Sequence, residues 1–245
     1  MKQYAIVAGG ASGIGAALAE SLRRQQWEVA VLDRRADTAA NEIEVDFRDA
    51  DATASAIQAA AGAGIDALII TAGVGVFGSV EQTSDSAWRA AVEHNLTGPF
   101  HVLRAAVPYM STGSAIVTVG STNVVAPLRF EGPYSASKAG LVAFSQSLAL
   151  ELAPRVRVNA VSHSLIDTPF IAAVTGDPEI ASAAARNTPM QRIGTTDDAC
   201  GLIRFLIGPE ASYITGQHFV IDGGGTLPRS QSDAIMQALM RTRLE

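Results

Sequence analysis

Cysteine occurs once in this chain, at Cys200. A lone thiol excludes an internal disulfide and a cysteine-built zinc site, and it suits a reducing compartment, which points to the cytoplasm. Basic charge is also scarce: 18 Lys and Arg stand against 24 Asp and Glu, giving a net charge of −6, and the largest basic clusters are the pairs Arg23-Arg24 and Arg34-Arg35. Such a surface offers no positive field to gather nucleic acid or an anionic membrane, so neither is expected as a partner. No apolar run is long enough to read as a membrane span. The N-terminal stretch MKQYAIVAGGASGIG is broken by Gly and Ser too early for a signal peptide. Aromatics make up only 6% of the chain, and four residues are tyrosines.

What remains is ample apolar material: 48% of 245 residues are hydrophobic, enough for a sizeable core. Short β-branched runs at 4–9, 29–33, 43–45, 66–73, 114–120, 156–161 and 218–222 read as strands. Their near-continuous apolar character predicts burial on both faces, as in a parallel sheet. Helical patterns lie between them at 13–25, 51–61, 84–109, 133–152, 179–187 and 196–207, the last with a capping box from Thr195 to Asp198. This rhythm predicts an α/β fold, a doubly wound parallel sheet of about seven strands, Rossmann-like, with helices on both faces. Without a linker, repeat or low-complexity block, residues 1–245 read as one domain, with 226–245 as a C-terminal extension carrying a weak helical pattern at Ile235, Met236, Leu239 and Met240.

Polar residues cluster where such a sheet would bind a ligand, just past the strand ends. After the first strand, AGGASGIG places Gly9, Gly13 and Gly15 across the passage into a helix. Glycine there permits a tight turn and lets backbone approach a phosphate, although such a turn alone also occurs without a ligand. Asp33 closes the second strand, 18 residues after Gly15. A carboxylate at that place accepts ribose hydroxyls and repels a 2′-phosphate, which favours NAD. Arg34 and Arg35 beside it keep NADP as the alternative. YSASK (134–138) sets Tyr134 one helical turn before Lys138, and Ser121 stands 13 residues upstream of the tyrosine. Alone, each residue has an ordinary reading: Ser121 as a strand cap, Asn95 as a turn or helix-kink residue, Lys138 as a solvated cation. Cys200, His94, His101 and His218 read as packing or surface residues, and Asp66 as a turn or capping acid.

In this order, from residue 3 to about Gly225, the segments GGASGIG, VDFRD, TAG, HNLTG, YSASK, VRVNAV, DTP and IDGG resemble the short-chain dehydrogenase/reductase family in its compact form. The resemblance implies a cofactor site of Gly9, Ser12, Gly13, Ile14, Gly15, Asp33, Asp46, Phe47, Ala72, Gly73, Tyr134, Lys138, Ile166 and Thr168. Asp46 and the Phe47 backbone are implied at the adenine. The implied catalytic set is Asn95, Ser121, Tyr134 and Lys138, and no metal is called for. Lys138 would lower the Tyr134 pKa and bond the nicotinamide ribose, Ser121 would bind the substrate oxygen, and Asn95 would hold a water in a proton relay. The substrate pocket would draw on Ser121, Asn123, Tyr134 and His163, with the loop 74–78 and residues around Phe170.

The implied function is hydride transfer between NAD and a small secondary alcohol or ketone. A large steroid-like substrate is disfavoured by the short segment 165–190, which is poor in aromatics. The alternative is a non-catalytic NAD(P)-binding regulator on the same fold. A homo-oligomer is implied, a tetramer ahead of a dimer, through the apolar run 140–153. Three departures stand out. Ala8 replaces a usual threonine and Thr71 a usual asparagine, a hydroxyl lost at one place and gained at the other. VSHS (161–164) replaces the usual V-x-P-G, which predicts a relaxed polar loop and offers His163 or Ser164 to a polar substrate group.

Overall fold

The computed structural model describes residues 3–38, 42–62 and 64–227, so the expected helical pattern near 235–240 lies outside the described residues. Seven parallel strands form one sheet in the order β3-β2-β1-β4-β5-β6-β7. They are β1 (Tyr4–Ala8), β2 (Glu28–Asp33), β3 (Ile43–Glu44), β4 (Ile65–Ile70), β5 (Met110–Ser121), β6 (Val156–His163) and β7 (His218–Ile221). The main helices are α1 (Gly13–Arg24), α2 (Ala50–Ala61), α3 (Asp85–Val92), α4 (Gly98–Ala106), α5 (Gly132–Leu152), α6 (Ala172–Thr175), α7 (Pro178–Arg186) and α8 (Thr196–Ile207).

Alternation along each apolar strand feeds two cores, one on each face of the sheet. Ile6, Leu68 and Ile116 face one way and pack with Ile57, Leu103 and Leu148 from α2, α4 and α5. Their neighbours Val7, Ile69 and Val117 face the other way and pack with Leu18, Leu22 and Ile203 from α1 and α8. Helix starts are fixed locally. Asp49 accepts from the Asp51 and Ala52 amides at 3.0 and 2.9 Å, and Thr195 with Asp198 forms the expected capping box. Strand order reverses between β1 and β4, so a crevice opens at their carboxyl ends.

The structure departs from the sequence reading in three informative places. The stretch 84–109 is not one helix: a π-helical turn, Glu93–Thr97, separates α3 from α4. An inserted residue of this kind leaves no trace in apolar periodicity, and it commonly marks a functional position. The strand expected at 66–73 stops at Ile70, because the Thr71 and Ala72 amides both turn to the Ala8 carbonyl, at 2.8 and 3.2 Å. The third departure reverses an expectation. Residues 162–163 do not relax into a loop; β6 runs through His163, pairing it with Ser121 of β5 and Ile221 of β7. A proline cannot donate to a strand ladder, and its absence frees the backbone to continue. The ladder is prolonged by the Ser164 amide, which donates to the Ile221 carbonyl at 3.0 Å.

The central strands should carry much of the stability. Leu68 on β4 is fully buried. Leu68→Ala should cost about 2–5 kcal/mol in urea unfolding, against less than ~0.5 kcal/mol for a change at an exposed, unpartnered surface position.

Candidate active site

The site is built from the first turn outward. Gly9 and Gly13 adopt φ of +93° and +56°, a region side chains resist. A Cβ on Gly9 would lie 2.4 Å from the Ala72 nitrogen, and one on Gly15 would lie 2.3 Å from the Gly9 carbonyl oxygen. The Thr71 hydroxyl donates to the Gly9 carbonyl at 2.8 Å and lies 3.3 Å from the Ala8 carbonyl. Thr71 thus supplies, from just past β4, the tie between turn and strand end that Ala8 cannot make. Ser12, at the start of α1, makes no side-chain cap, whereas α2, α3, α7 and α8 are each capped by a side chain. Its first-turn N–H groups therefore remain available to an anion in the adjoining cleft.

That cleft, of about 290 Å³, is lined by Gly9, Ser12, Gly13, Ile14 and Gly15 of the turn, and by Asp33, Asp46, Phe47, Ala72, Gly73 and Thr168. Tyr134, Lys138 and His163 close its other end. Ile166 is buried and borders a second cavity of about 240 Å³ rather than the main cleft. Asp33 accepts from the Ala11 amide at 3.2 Å and the Arg35 amide at 3.0 Å, so the acid ties the glycine turn to the end of β2. Arg34 and Arg35 line the cleft beside it. Asp46 is paired with Arg48 at 2.5 Å, and this guanidinium holds its carboxyl down at about 2. His101, read as a packing residue, places Nδ1 2.9 Å from the Phe47 carbonyl.

At the inner end, α5 carries Tyr134 and Lys138 on one face, both buried. Lys138 Nζ donates to the Val119 carbonyl at 2.9 Å, and burial lowers the ammonium to about 8. The lowered Tyr134 expected from this cation is not what the protein alone produces. Burial raises the phenol, hydrogen bonding with Ser121 opposes the rise, and the Glu131 carboxylate adds to it. Ser121, at the end of β5, also accepts from the Asn123 amide at 3.2 Å. Asn123 turns both amide hydrogens away from the cleft, to Glu131 at 2.6 Å and Ser135 at 3.2 Å.

Asn95 lies fully buried in the π turn. Its oxygen accepts from the Val74 amide at 2.8 Å, and its nitrogen donates to the Val74 carbonyl at 3.0 Å and the Ser137 hydroxyl at 3.1 Å. Gly73 fits between, since a Cβ there would stand 3.0 Å from Lys138 Nζ and 3.1 Å from Asn95 Oδ1. His163 and Ser164 separate: His163 lines the main cleft and Ser164 the second cavity. Phe77 and Phe170 converge over Gly75, both largely exposed, and Phe170 packs 6.3 Å from the Tyr134 ring. Sequence reasoning missed Glu131, Arg48 and His94. His94 opens HNLTG itself, Arg48 lies two residues past Asp46, and Glu131 three before Tyr134, so adjacency to those motifs was the signal that could have raised them.

The residues at this site fit a dinucleotide. A glycine cradle that a Cβ would fill and an uncapped helix start lie at one end of a cleft, and a buried Tyr-Lys pair lies at the other. Comparison with known proteins agrees in kind. A family profile described as Enoyl-(Acyl carrier protein) reductase matches residues 9–226. Over 242 residues the chain is 30% identical to the 3beta-hydroxysteroid dehydrogenase 1 of Eggerthella lenta, covering 91% of this chain and 93% of that one. It is 33% identical over 240 residues to the galactitol 2-dehydrogenase (L-tagatose-forming) of Cereibacter sphaeroides, with 91% and 94% covered. Its structure resembles the ligand-free aldohexose dehydrogenase of Thermoplasma acidophilum, with a TM-score of 0.89, 30% identity, and 93% and 95% of the two chains covered.

The electrostatics of Tyr134 can be tested directly. Glu131→Gln removes a carboxylate that raises the phenol. The Tyr134 titration, followed by NMR of labelled tyrosine, should move to lower pH in the variant, and an unmoved titration would deny Glu131 this role.

Proposed function

The chain belongs to the short-chain dehydrogenase/reductase family, and from that premise we propose that it moves a hydride between NAD and a small secondary alcohol or its ketone. The observation that carries this reading is the buried Tyr134-Lys138 pair, set at the inner end of a cleft whose outer end holds the glycine turn and Asp33. NAD, when bound, supplies the hydride-accepting ring. The N–H groups at the start of α1 would receive its pyrophosphate, and Asp33 the adenosine ribose. Asp46 and Phe47 would face adenine, and Thr168 the nicotinamide side. Ser121 would hold the substrate oxygen, where charge develops as the proton moves. Tyr134 exchanges that proton. Lys138 stands one helical turn away, where its ammonium would stabilise negative charge developing on the phenol oxygen during the proton transfer. Asn95, by joining Val74 to Ser137, would hold the relay behind Lys138.

The raised Tyr134 pKa gives the pH dependence a sign. The phenol is protonated at neutral pH, the form that donates to a ketone. Oxidation of an alcohol needs the tyrosinate, so its rate should climb as pH rises through that ionisation, while ketone reduction falls. Tyr134→Phe should cut NADH formation by about 10²–10⁴-fold. Undiminished turnover in that variant would refute the mechanism. A non-catalytic regulator gains no support from relatives that are named as enzymes.

A second cofactor reading is favoured by Arg34 and Arg35, which line the cleft beside Asp33 and are suited to a 2′-phosphate. We read NAD as preferred, because the acid itself occupies the ribose-facing position. Titration of tryptophan fluorescence should give tighter binding for NAD than for NADP, with the gap narrowed in Asp33→Asn. Tighter NADP binding would reverse the assignment. Leu150 on α5 is 85% exposed in the single chain, which fits assembly into a homo-oligomer, a tetramer by our reading, through that helix. No helix among the described residues is long and apolar enough to cross a membrane, in keeping with a cytoplasmic enzyme.

A further inference from the structure

His163 is the one residue of the cleft's inner end that composition did not require, and its surroundings define what it can do. In the register of β5 and β6 its Cα is paired with that of Ser121, so the two side chains leave the same face of adjacent strands. Nδ1 lies 2.7 Å from the Ser164 carbonyl oxygen. A carbonyl only accepts, so Nδ1 carries the proton, and in the neutral ring Nε2 is left with a bare lone pair. Nε2 has no hydrogen-bond partner among the described residues, and the side chain lines the cleft beside Tyr134 and Lys138. Burial, joined by the nearby Lys138 ammonium, holds the imidazole below its ordinary pKa and keeps it neutral.

Resting on the proposed hydride transfer, we infer that His163 Nε2 is a specificity-determining acceptor for a second hydroxyl, on the carbon next to the one that reacts. The substrate class is therefore a vicinal diol or, in the reverse direction, an α-hydroxy ketone. Ser121 supplies the reasoning on distance: it takes the reacting oxygen, and its strand partner His163 stands beside it to meet the next oxygen along. Ser121 and Tyr134 can each donate to an oxygen, whereas the ammonium of Lys138 only donates. With the Ser121 and Tyr134 hydroxyls engaged at the reacting oxygen, Nε2 is the acceptor left to meet a second hydroxyl. Asn123 does not compete, since it is not among the residues lining the cleft and its amide is drawn to Glu131 and Ser135. Ser164 does not either, since it borders the other cavity.

The test pairs trans-1,2-cyclohexanediol with cyclohexanol, which share a ring and differ by the second hydroxyl. In wild-type protein labelled with ¹⁵N-histidine and saturated with NAD, the His163 Nε2 signal should be that of an unprotonated nitrogen. It should shift on adding the diol and not on adding cyclohexanol. A protonated Nε2, or equal responses to both compounds, would overturn the inference. In parallel, the ratio of kcat/KM for diol over cyclohexanol should fall about tenfold in His163→Phe, the loss expected for one hydrogen bond. His163→Gln, which restores an acceptor oxygen, should recover part of that ratio. An unchanged ratio in both variants would refute the role. The underlying activity fails in a different way: neither compound would yield NADH with wild-type protein, while the binding response of Nε2 would still be read.

Discussion

The buried amide of Asn95 is the constraint on which the inner end of the cleft depends. One side chain bonds the Val74 backbone through both its oxygen and its nitrogen, and reaches Ser137 on α5 with its second hydrogen. Ser137 in turn donates to the Tyr134 carbonyl at 2.8 Å. The segment after β4 and the helix bearing Tyr134 and Lys138 are thereby held as one piece. Full burial makes the arrangement demanding, because any of these groups left unpaired would cost about 1–3 kcal/mol. The π turn is the local distortion that brings the amide to that place, and Gly73 is the absence of a side chain that leaves room for it.

Held in this way, Lys138 has exchanged water for a carbonyl. Its ammonium is buried, donates to Val119, and loses much of its usual preference for charge. Tyr134 is shifted the other way by the same burial. A common cause therefore separates the two groups in proton affinity, drawing the ammonium down from 10.5 to about 8 and the phenol up from 10.0. Glu131, fixed by Asn123, adds a negative field from the start of the same helix. The hydrogen bond with Ser121 works against it. The tyrosine is therefore set by burial, by Ser121 and by Glu131, none of which the helical pair in YSASK names.

How much of this was legible follows from what leaves a mark in a linear pattern. Parallel buried strands write themselves as continuous β-branched runs, so β1, β2, β4, β5 and β6 were all readable, as was the order of motifs that identifies the family. The Thr71 and Ala8 exchange was readable as a linked pair, and the hydroxyl does bond the turn it was expected to tie. The π turn was not, because α3 and α4 continue one apolar pattern across it. Nor were the contacts of Asn123 with Glu131 and of His101 with Phe47, which depend on how the loop after β5 and helix α4 pack rather than on any local pattern. Tyr134 was misjudged for a different reason. Spacing reveals that a cation is near, but not that burial and Glu131 raise the phenol in the protein alone.

The replacement of Pro-Gly by His-Ser shows how a local backbone rule reaches the chemistry. Proline at 163 would end the ladder there; histidine lets β6 pair through that residue with both neighbours. Strand pairing then dictates direction. Successive side chains must point to opposite faces, so Ser162 turns to His218, with 2.7 Å between its hydroxyl and Nε2, and His163 turns to the cleft. The carbonyl of Ser164 completes the effect by fixing which imidazole nitrogen holds the proton. A change that first reads as loosened loop is therefore a stiffening. It converts a backbone contact point into a side chain of defined direction and defined tautomer, beside the serine that would meet the reacting oxygen.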